Sequence, residues 1–479
     1  MGNEIVNRKK VYQSAGWKFF ERVFVEGMSF AIQIVLARIL MPEDFGNLAI
    51  IVAIINYASL FVQSGLATAI VQKKDADDLD VSTLLVSSLA IAFFFYVVIF
   101  FFAPFISSFY DNDALVWPIR VLSIVLFLNA INSIQTAVFS KKMDFKSIFI
   151  RSVIAIPISG FIGVFMAIKG FGIWSLIAQS LVNSFLIVIF MMFRSKIKFS
   201  FKFSFKRAKE LYAFGGKILL TSLVSGMSDL TRTLIIGKKY STDELAYYDK
   251  AYTYSNYFTL MINSTIASVL LPTFSYFQDS IERLKKMARE SFRYISFFMF
   301  PILFGICAVS KEFVLIFLSD KWSFCIPYLM VFCFLRISGC LTSADKQVYY
   351  ALGKSGISLI YNIVLIAANI VALAIAMNFG VIYIAIGATL VELIGCFVYF
   401  LISSKIYRYS LNERFSDCIE PLISSIFMLV ALFGVDALSL NLIVSFVLKI
   451  LLGIVIYFSI CFVLKNKTLY EIITKLKKR

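Results

Sequence analysis

The chain has 479 residues, of which 60% are hydrophobic and 16% are charged, and its formal net charge is +17. Soluble domains carry about 25% charged residues, and a soluble chain this apolar would expose large hydrophobic patches to water. The composition therefore excludes an ordinary soluble protein. The positive charge has to be interpreted from where it lies along the chain.

Apolar segments long enough to cross a bilayer recur from one end of the sequence to the other. A membrane-spanning helix needs about 20 predominantly apolar residues, and we predict an all-α protein with fourteen such helices. The first follows three basic residues without a small-residue cleavage site, so we expect it to stay in the protein. The predicted spans are residues 16–37, 45–66, 82–106, 116–139, 149–168, 172–193, 212–236, 247–271, 291–317, 325–347, 357–377, 381–402, 419–436 and 442–464.

Lysine and arginine are distributed unevenly between the connecting segments. With the N-terminus inside, the inner segments hold 29 of them and the outer loops hold five. Positively charged segments stay on the cytoplasmic side, so we predict that both termini are cytoplasmic. The net charge then reflects topology, and membrane phospholipids rather than nucleic acid are its expected partners.

The longest inner loop, residues 194–210, interleaves basic residues with phenylalanine. Such a stretch could bind RNA, but next to a membrane it is more typical of an amphipathic segment that lies on the cytoplasmic leaflet. It separates the sixth span from the seventh. We therefore expect it to connect two halves of the protein.

A short internal repeat supports this division. Residues 25–29 read Val-Glu-Gly-Met-Ser, and residues 224–228 read Val-Ser-Gly-Met-Ser. Both copies run outward from the cytoplasm at the start of a half, which is typical of a parallel repeat with a substrate site between two lobes. We predict an N-lobe of helices 1–6 over residues 1–204, a C-lobe of helices 7–12 over 205–410, and helices 13–14 with a basic cytoplasmic tail over 411–479.

Polar residues of the first span are confined to one face. A charge at the bilayer centre is costly unless it faces a bundle interior or a water-filled cavity. At about 100° per residue, the polar residues of the first span fall in one wedge, and the same wedge of the seventh span is polar as well. The candidate substrate-binding residues are Lys18, Arg22, Lys217 and Arg232, joined by Tyr252 and Asn256 on the tyrosine-rich face of the eighth span.

Each of these features also has a purely structural interpretation. Lys18 and Lys217 lie near the cytoplasmic ends of their spans and could snorkel to the interface. Arg22 and Arg232 each have a carboxylate at helical ion-pair spacing, and the tyrosines could form an interfacial belt. If transport is coupled to protons, a chain without histidine needs carboxylates. The candidates are Glu26, Asp229, Asp249 and Glu392, the last without an obvious partner in the sequence.

No metal, cofactor or catalytic motif is evident. The seven cysteines all follow residue 300, and none forms a CxxC pair, so we expect no metal site and no disulfide framework. We interpret them as small buried apolar residues. The chain also lacks a GxxxxGK[ST] phosphate-binding loop, so we expect neither a cofactor nor ATP hydrolysis by this protein.

Four segments are distinctive, and they read ARILMPEDFGNLAI, SGLATAIVQKKD, AVFSKKMDFK and LPTFSYFQDSIERLKK. In these segments the chain resembles bacterial polysaccharide exporters of the Wzx type, and most closely the branch associated with colanic-acid-like exopolysaccharides. That superfamily also contains lipid II flippases and multidrug and toxin extruders. The resemblance covers roughly residues 10–410.

The resemblance implies two six-helix lobes around a central cavity, working by alternating access. It implies a transporter rather than an enzyme, in the bacterial inner membrane, that flips undecaprenyl-pyrophosphate-linked oligosaccharide repeat units to the periplasmic leaflet. The product would serve O-antigen, capsule or exopolysaccharide synthesis and pass to the polymerase machinery. A cationic cavity would accept the pyrophosphate, and the positions here that best match this role are Arg22, Lys217 and Arg232.

Two other classes stay open at this point. A multidrug or cation exporter of the same fold needs a cavity dominated by acids, whereas the first and seventh spans carry cations. A membrane glycosyltransferase or polymerase usually needs a large outer loop or a soluble domain with catalytic acids. The outer loops predicted here are all short.

Overall fold

The computed structural model describes residues 8–63, 70, 73, 77–194, 202–277 and 280–477. These residues form helices, turns and loops without a β-strand, which confirms the all-α class. By length and composition, eleven helices of the described chain can cross a membrane. The helices at predicted spans 1, 7 and 8 are 32, 35 and 35 residues long but are not among those eleven, so the count of fourteen stays a prediction.

The chain divides into two compact units, residues 1–246 and 247–479. The lobe boundaries at residues 204 and 410 remain predictions. The first unit contains α1 (Arg8–Ile39), α2 (Pro42–Gln63), α3 (Asp78–Phe109), α4 (Val116–Leu122), α5 (Val125–Lys141), α6 (Phe145–Ile168), α7 (Ile173–Arg194), α8 (Phe205–Lys239) and the first residues of α9 (Thr242–Tyr276). The second contains the rest of α9, then α10 (Ile281–Ala308), α11 (Ser310–Phe313), α12 (Cys325–Ala351), α13 (Ser355–Ala376), α14 (Val381–Tyr407), α15 (Leu411–Gly434), α16 (Leu442–Val463) and α17 (Lys467–Lys477).

The start of α3 is fixed by a capping box. The Asp77 carboxylate accepts a hydrogen bond from the Asp80 backbone N–H at 2.9 Å, and the Asp80 carboxylate accepts one from the Asp77 N–H at 3.2 Å. Each carboxylate thus satisfies a backbone donor that the first helical turn would leave without a partner. Ser410 and Glu413 form the same arrangement at the start of α15.

The end of the connector between α7 and α8 and the first turn of α8 both dock on this capped terminus. The Arg207 guanidinium lies 2.5 Å from Asp77 and 3.1 Å from the fully buried Asp80, and its hydrogen bond to Asp77 holds the pKa of that carboxyl at about 2. Ser82 Oγ donates a hydrogen bond of 2.7 Å to the carbonyl of Lys202. Residues 195–201 of the predicted amphipathic segment lie outside the described residues.

Three segments differ from the sequence predictions. The fourth span is divided between α4 and α5, and the ninth ends at Ala308 and is followed by α11 and a π-helical turn, Val314–Leu318. The basic tail, for which no secondary structure was predicted, forms α17. Asn466 accepts a hydrogen bond from the Leu469 N–H at 3.1 Å, and the buried Leu469 side chain anchors the helix in the core of the second unit.

Each of the two repeat segments, residues 25–29 and 224–228, lies in a helix that ends in a turn, and the two turns have matching bounds. One helix pair turns between Ile39 and Pro42, and the other turns between Lys239 and Thr242, 200 residues later. The turns also approach each other closely, because a Cβ atom at Gly46 would lie 1.8 Å from the Thr242 carbonyl oxygen. Only glycine permits this contact.

Candidate functional site

Three of the predicted site residues lie on α1. Arg22 Nε lies 3.5 Å from Glu26 Oε1, so the ion pair suggested by their spacing is present, with the two side chains 39% and 23% exposed. Lys18 is exposed, and its ammonium nitrogen lies 5.5 Å from the centre of the Phe145 ring. Arg22 Nε faces Glu26 without meeting hydrogen-bond geometry, so the two residues form a loose ion pair.

A second group of charges, which the sequence analysis missed, lies beside these residues. Arg151 of α6 is 7% exposed, and its Nη1 atom donates hydrogen bonds to Asn132 Oδ1 at 2.8 Å and Thr136 Oγ1 at 3.1 Å. Ser152 Oγ lies 3.5 Å from Glu21 Oε1. Arg151, Arg22 and Lys18 all act electrostatically on Glu21. This set of charges, with the α5 amide and hydroxyl that hold Arg151, forms a polar site within the first unit.

The pattern of α5 could have revealed this site. Asn129, Asn132, Ser133 and Thr136 recur at helical spacing, so they share one face of an otherwise apolar helix. Asn129 Nδ2 donates a 3.3 Å hydrogen bond to Ser59 Oγ of α2, which continues the polar face. Polar stripes within spanning helices face a bundle interior or a cavity. Arg151 itself was hidden because it lies close to the end of its predicted span.

Helix α8 carries the next predicted residues. Arg232 Nη2 lies 2.8 Å from Asp229 Oδ1, and the arginine is 19% exposed whereas the aspartate is 65% exposed. The second predicted ion pair is thus present, with a mostly buried cation and a solvated acid. The side chain of Lys217 lies outside the described residues.

Contacts at the opposite end of α8 join it to α2 and α3. Lys238 Nζ lies 2.8 Å from Asp111 Oδ2, and Tyr110 Oη donates a 3.3 Å hydrogen bond to the Leu234 carbonyl. The contact of Gly46 with the turn after α8 lies at the same end. We call these three contacts the outer clasp. The positive-inside bias predicts that this end of the first unit is periplasmic.

The predicted residues of α9 lie in the second unit. Tyr252 is held by Arg336, whose guanidinium lies 4.2 Å from the centre of the tyrosine ring and donates a 2.8 Å hydrogen bond to its carbonyl. Asn256 Oδ1 accepts a 3.3 Å hydrogen bond from Thr259. Asp249 acts electrostatically on the neighbouring Lys250. Tyr252 thus has a cation partner that the sequence analysis did not assign.

Glu392 of α14 has partners, although the sequence showed none. Its Oε2 atom lies 3.5 Å from Ser338 Oγ, and Lys346 and Arg336 act electrostatically on it. These three partners are on α12, and Asn369 of α13 is a further hydrogen-bond partner, so none of them could be read from the local pattern of α14. A half-buried carboxylate with cations on a neighbouring helix remains a candidate for carrying a proton.

Two fully buried ion pairs also lie in the second unit. Arg414 Nη2 is 3.0 Å from Asp345 Oδ1, with both side chains 2% exposed, and Lys449 Nζ is 2.6 Å from Glu312 Oε1, with exposures of 0% and 2%. Asp436 and Ser445 extend the second pair at 2.8 Å each. Both cations are enclosed by protein, so we assign these pairs to the structure of the second unit and not to the substrate site.

Two known bacterial proteins are similar in sequence to this chain over most of its length. It is 24% identical over 387 residues to the succinoglycan biosynthesis transport protein ExoT of Rhizobium meliloti (strain 1021), covering 81% of this chain and 77% of that protein. It is 25% identical over 405 residues to the lipopolysaccharide biosynthesis protein WzxC of Escherichia coli (strain K12), covering 83% and 82% respectively. The resemblance to Wzx-type exporters is confirmed.

The fold is also known from a solved structure. The lipid II flippase MurJ in an inward closed conformation superposes with a TM-score of 0.77, covering 95% of this chain and 99% of that one at 15% sequence identity. The sequence profile of the family described as "Polysaccharide biosynthesis protein" matches residues 35–327, which is more than half of the chain. This protein therefore belongs to the polysaccharide biosynthesis protein family.

Proposed function

We propose that this protein flips undecaprenyl-pyrophosphate-linked oligosaccharide repeat units from the cytoplasmic to the periplasmic leaflet of a bacterial inner membrane. The observation that carries the proposal is the cationic face of α1, which keeps Arg22 and Lys18 accessible within a membrane protein of this family. The repeat units would serve O-antigen, capsule or exopolysaccharide synthesis. The polymerase machinery would act on them after release.

The chemistry of the cargo explains why cations are needed. A pyrophosphate carries several negative charges, and moving it unaided through hydrocarbon is prohibitive because even one unpaired buried charge is costly. Arginine suits this task, since its planar fork gives paired, charge-assisted hydrogen bonds to phosphate oxygens. We propose that Arg22, Arg232 and Lys217 bind the pyrophosphate, that Lys18 attracts it at entry, and that Tyr252 and Asn256 contact the sugars. Alternating access would move the site from one side to the other, with both termini in the cytoplasm.

We expect Arg22→Ala and Arg232→Ala each to abolish most export while leaving the protein level in the membrane intact. Each change removes a guanidinium that no other group can replace in bidentate phosphate binding. Arg→Lys at either position should restore part of the export, because the charge returns without the fork. Export is measured as polymer made by a flippase-deficient strain that carries each variant. Lys209→Ala, which removes an exposed cation at the cytoplasmic start of α8, is the matched control.

Double variants test the structural interpretation of the same arginines. If Arg22 and Arg232 only pair with Glu26 and Asp229, then removing each acid together with its arginine will restore export. Such rescue would contradict the head-group role. Resistance to cationic drugs, measured in parallel, should not change in any variant, whereas a drug exporter would lose resistance together with its cavity residues.

We further propose that proton coupling, if it drives the cycle, uses Glu26, Asp229, Asp249 and Glu392. The variant with all four changed to the corresponding amides should lose the dependence of transport on an imposed pH gradient in proteoliposomes. Glu392→Gln alone should give the largest part of the effect, because Glu392 is half-buried beside Lys346 and Arg336, where gain or loss of a proton changes the local charge balance most. Full activity of the fourfold amide variant at every gradient would rule this set out.

A further inference from the structure

Glu21 is an acid of the polar site in the first unit, and three cations influence it. Arg151 from α6 and Arg22 and Lys18 from α1 all act electrostatically on its carboxylate, and Ser152 Oγ lies 3.5 Å from it. The carboxylate of Glu26 neutralises part of the positive charge of Arg22. The group therefore carries more positive than negative charge, although it lies among helices that span the membrane.

The donors of Arg151 are only partly used. Arg151 is 7% exposed, and the amide of Asn132 and the hydroxyl of Thr136 hold one end of its guanidinium through Nη1. Its Nε atom is buried and has no hydrogen-bond partner, whereas Arg22 Nε lies 3.5 Å from Glu26 Oε1. A buried donor without an acceptor is costly and rare in a folded protein. Such a donor, in a group with an excess of positive charge, favours an acceptor that binds there.

An oxyanion with several oxygens is the acceptor that fits. Phosphate oxygens accept paired hydrogen bonds from a guanidinium edge, and a phosphate brings more negative charge than one carboxylate can supply. Glu21 already lies close to the cations, so it would compete with a bound phosphate for them. A like charge close to a ligand weakens its binding, and this would speed release of the ligand after transport.

We propose that Arg151, together with Arg22 and Lys18, forms a phosphate site within the first unit, and that Glu21 is an internal counter-ion that a phosphate group displaces. This inference rests on the proposed function in so far as the natural phosphate is that of the lipid-linked cargo. It adds Arg151 as a binding residue and Glu21 as the residue that sets the balance between capture and release. The phosphate of a membrane phospholipid shares the same chemistry, so the experiment has to separate the two sources.

The test measures binding of inorganic pyrophosphate to the full-length protein in phosphatidylcholine nanodiscs by isothermal titration calorimetry. Arg151→Gln should weaken binding by about tenfold, the usual loss for one hydrogen bond to a charged group. Glu21→Gln should tighten binding by a similar factor, because the competing charge is gone while the shape of the side chain stays. Lys146→Gln is the matched control, since Lys146 lies at the same end of α6 but over the Trp17 ring, at 5.7 Å, and it should bind pyrophosphate like the wild type.

Weaker pyrophosphate binding by Arg151→Gln together with tighter binding by Glu21→Gln would support the site. Unchanged or weaker binding by Glu21→Gln would overturn it, and this result decides the matter even if Arg151→Gln fails to fold. Weaker pyrophosphate binding in nanodiscs that contain phosphatidylglycerol would show that lipid phosphates occupy the same site. If these binding results fail while Arg22→Ala still abolishes export, only this inference falls. If binding behaves as expected while Arg22→Ala and Arg232→Ala export normally, the flippase proposal falls instead.

Discussion

Cross-linking cysteines introduced as Asp111→Cys and Lys238→Cys with a short bifunctional thiol reagent will stop export almost completely, and a reducing agent will restore it. The two native side chains form the 2.8 Å ion pair of the outer clasp. If the cargo leaves on the periplasmic side, the end of α8 has to separate from α2 and α3 at this place. A covalent link would hold the clasp shut and trap the protein in one state of its cycle.

The contacts of the outer clasp are weak enough to break during each transport cycle. The ion pair is exposed, with Lys238 41% and Asp111 83% accessible, and an exposed pair contributes only about 0–1 kcal/mol. Tyr110 donates its hydrogen bond to a backbone carbonyl, which water can replace after separation. The clasp therefore packs closely, because Gly46 allows the turns to touch. Little free energy is needed to separate its contacts.

A second cysteine pair at the same end controls for the reagent. Asn47→Cys with Asn112→Cys replaces the 3.3 Å hydrogen bond that joins α2 to the turn after α3, and it does not involve α8. Cross-linking there should leave export unchanged. The native Cys418, the one cysteine that is not buried, is changed to serine in both backgrounds. Normal export by the fully cross-linked 111–238 protein would show that the clasp does not move during transport.

Asp345→Ala or Arg414→Ala will destabilise the second unit by about 3–5 kcal/mol, the usual cost of leaving one charge of a buried pair unpaired. Both side chains are 2% exposed, and Tyr407 donates a hydrogen bond to the same aspartate. Arg414 also lies 4.0 Å from the centre of the Tyr409 ring and 4.4 Å from that of Phe400. Without Asp345, the guanidinium would be surrounded by aromatic rings and have no counter-charge.

The measurements are the amount of protein inserted in the membrane and the midpoint of thermal unfolding after purification in detergent. Asp229→Ala is the matched control, since its pair with Arg232 leaves the acid 65% exposed and its loss should cost about 0–1 kcal/mol. The triple variant Asp345→Leu, Tyr407→Phe and Arg414→Met should recover most of the stability, because an apolar replacement removes every buried charge at once. A normal unfolding midpoint for Arg414→Ala would contradict this account.

Much of the fold could be predicted because membrane helices follow from local hydropathy. The sixth predicted span, residues 172–193, differs by one residue at each end from α7, since it is a largely apolar segment that carries no charge before the arginine at its end. The ion pairs of α1 and α8 were equally local, because their members lie three or four residues apart. Such features need no knowledge of the tertiary structure.

The remaining polar contacts could not be predicted because their partners are distant in sequence. Arg414 was counted with an inner loop, yet α15 begins at Leu411 and the arginine is buried against Asp345, which lies 69 residues earlier. Glu21 falls outside the wedge of α1 that was considered. Its importance depends on Arg151, which comes from another helix. Contacts of this kind depend on which helix faces pack together, and a hydropathy pattern does not specify this.

The pair of Lys449 and Glu312 has a consequence for how the protein is made. Lys449 lies within α16, a helix of 22 residues that is otherwise strongly apolar. A lysine at that depth is unfavourable in lipid, and its counter-charges come from the segment after α10 and from Asp436 just before α16. Helix α16 would therefore leave the insertion machinery as an unstable span and become stable only by docking on a segment synthesised earlier. Biogenesis would then end with an assembly step, and a chain that failed to complete it would present a charged span to membrane proteases.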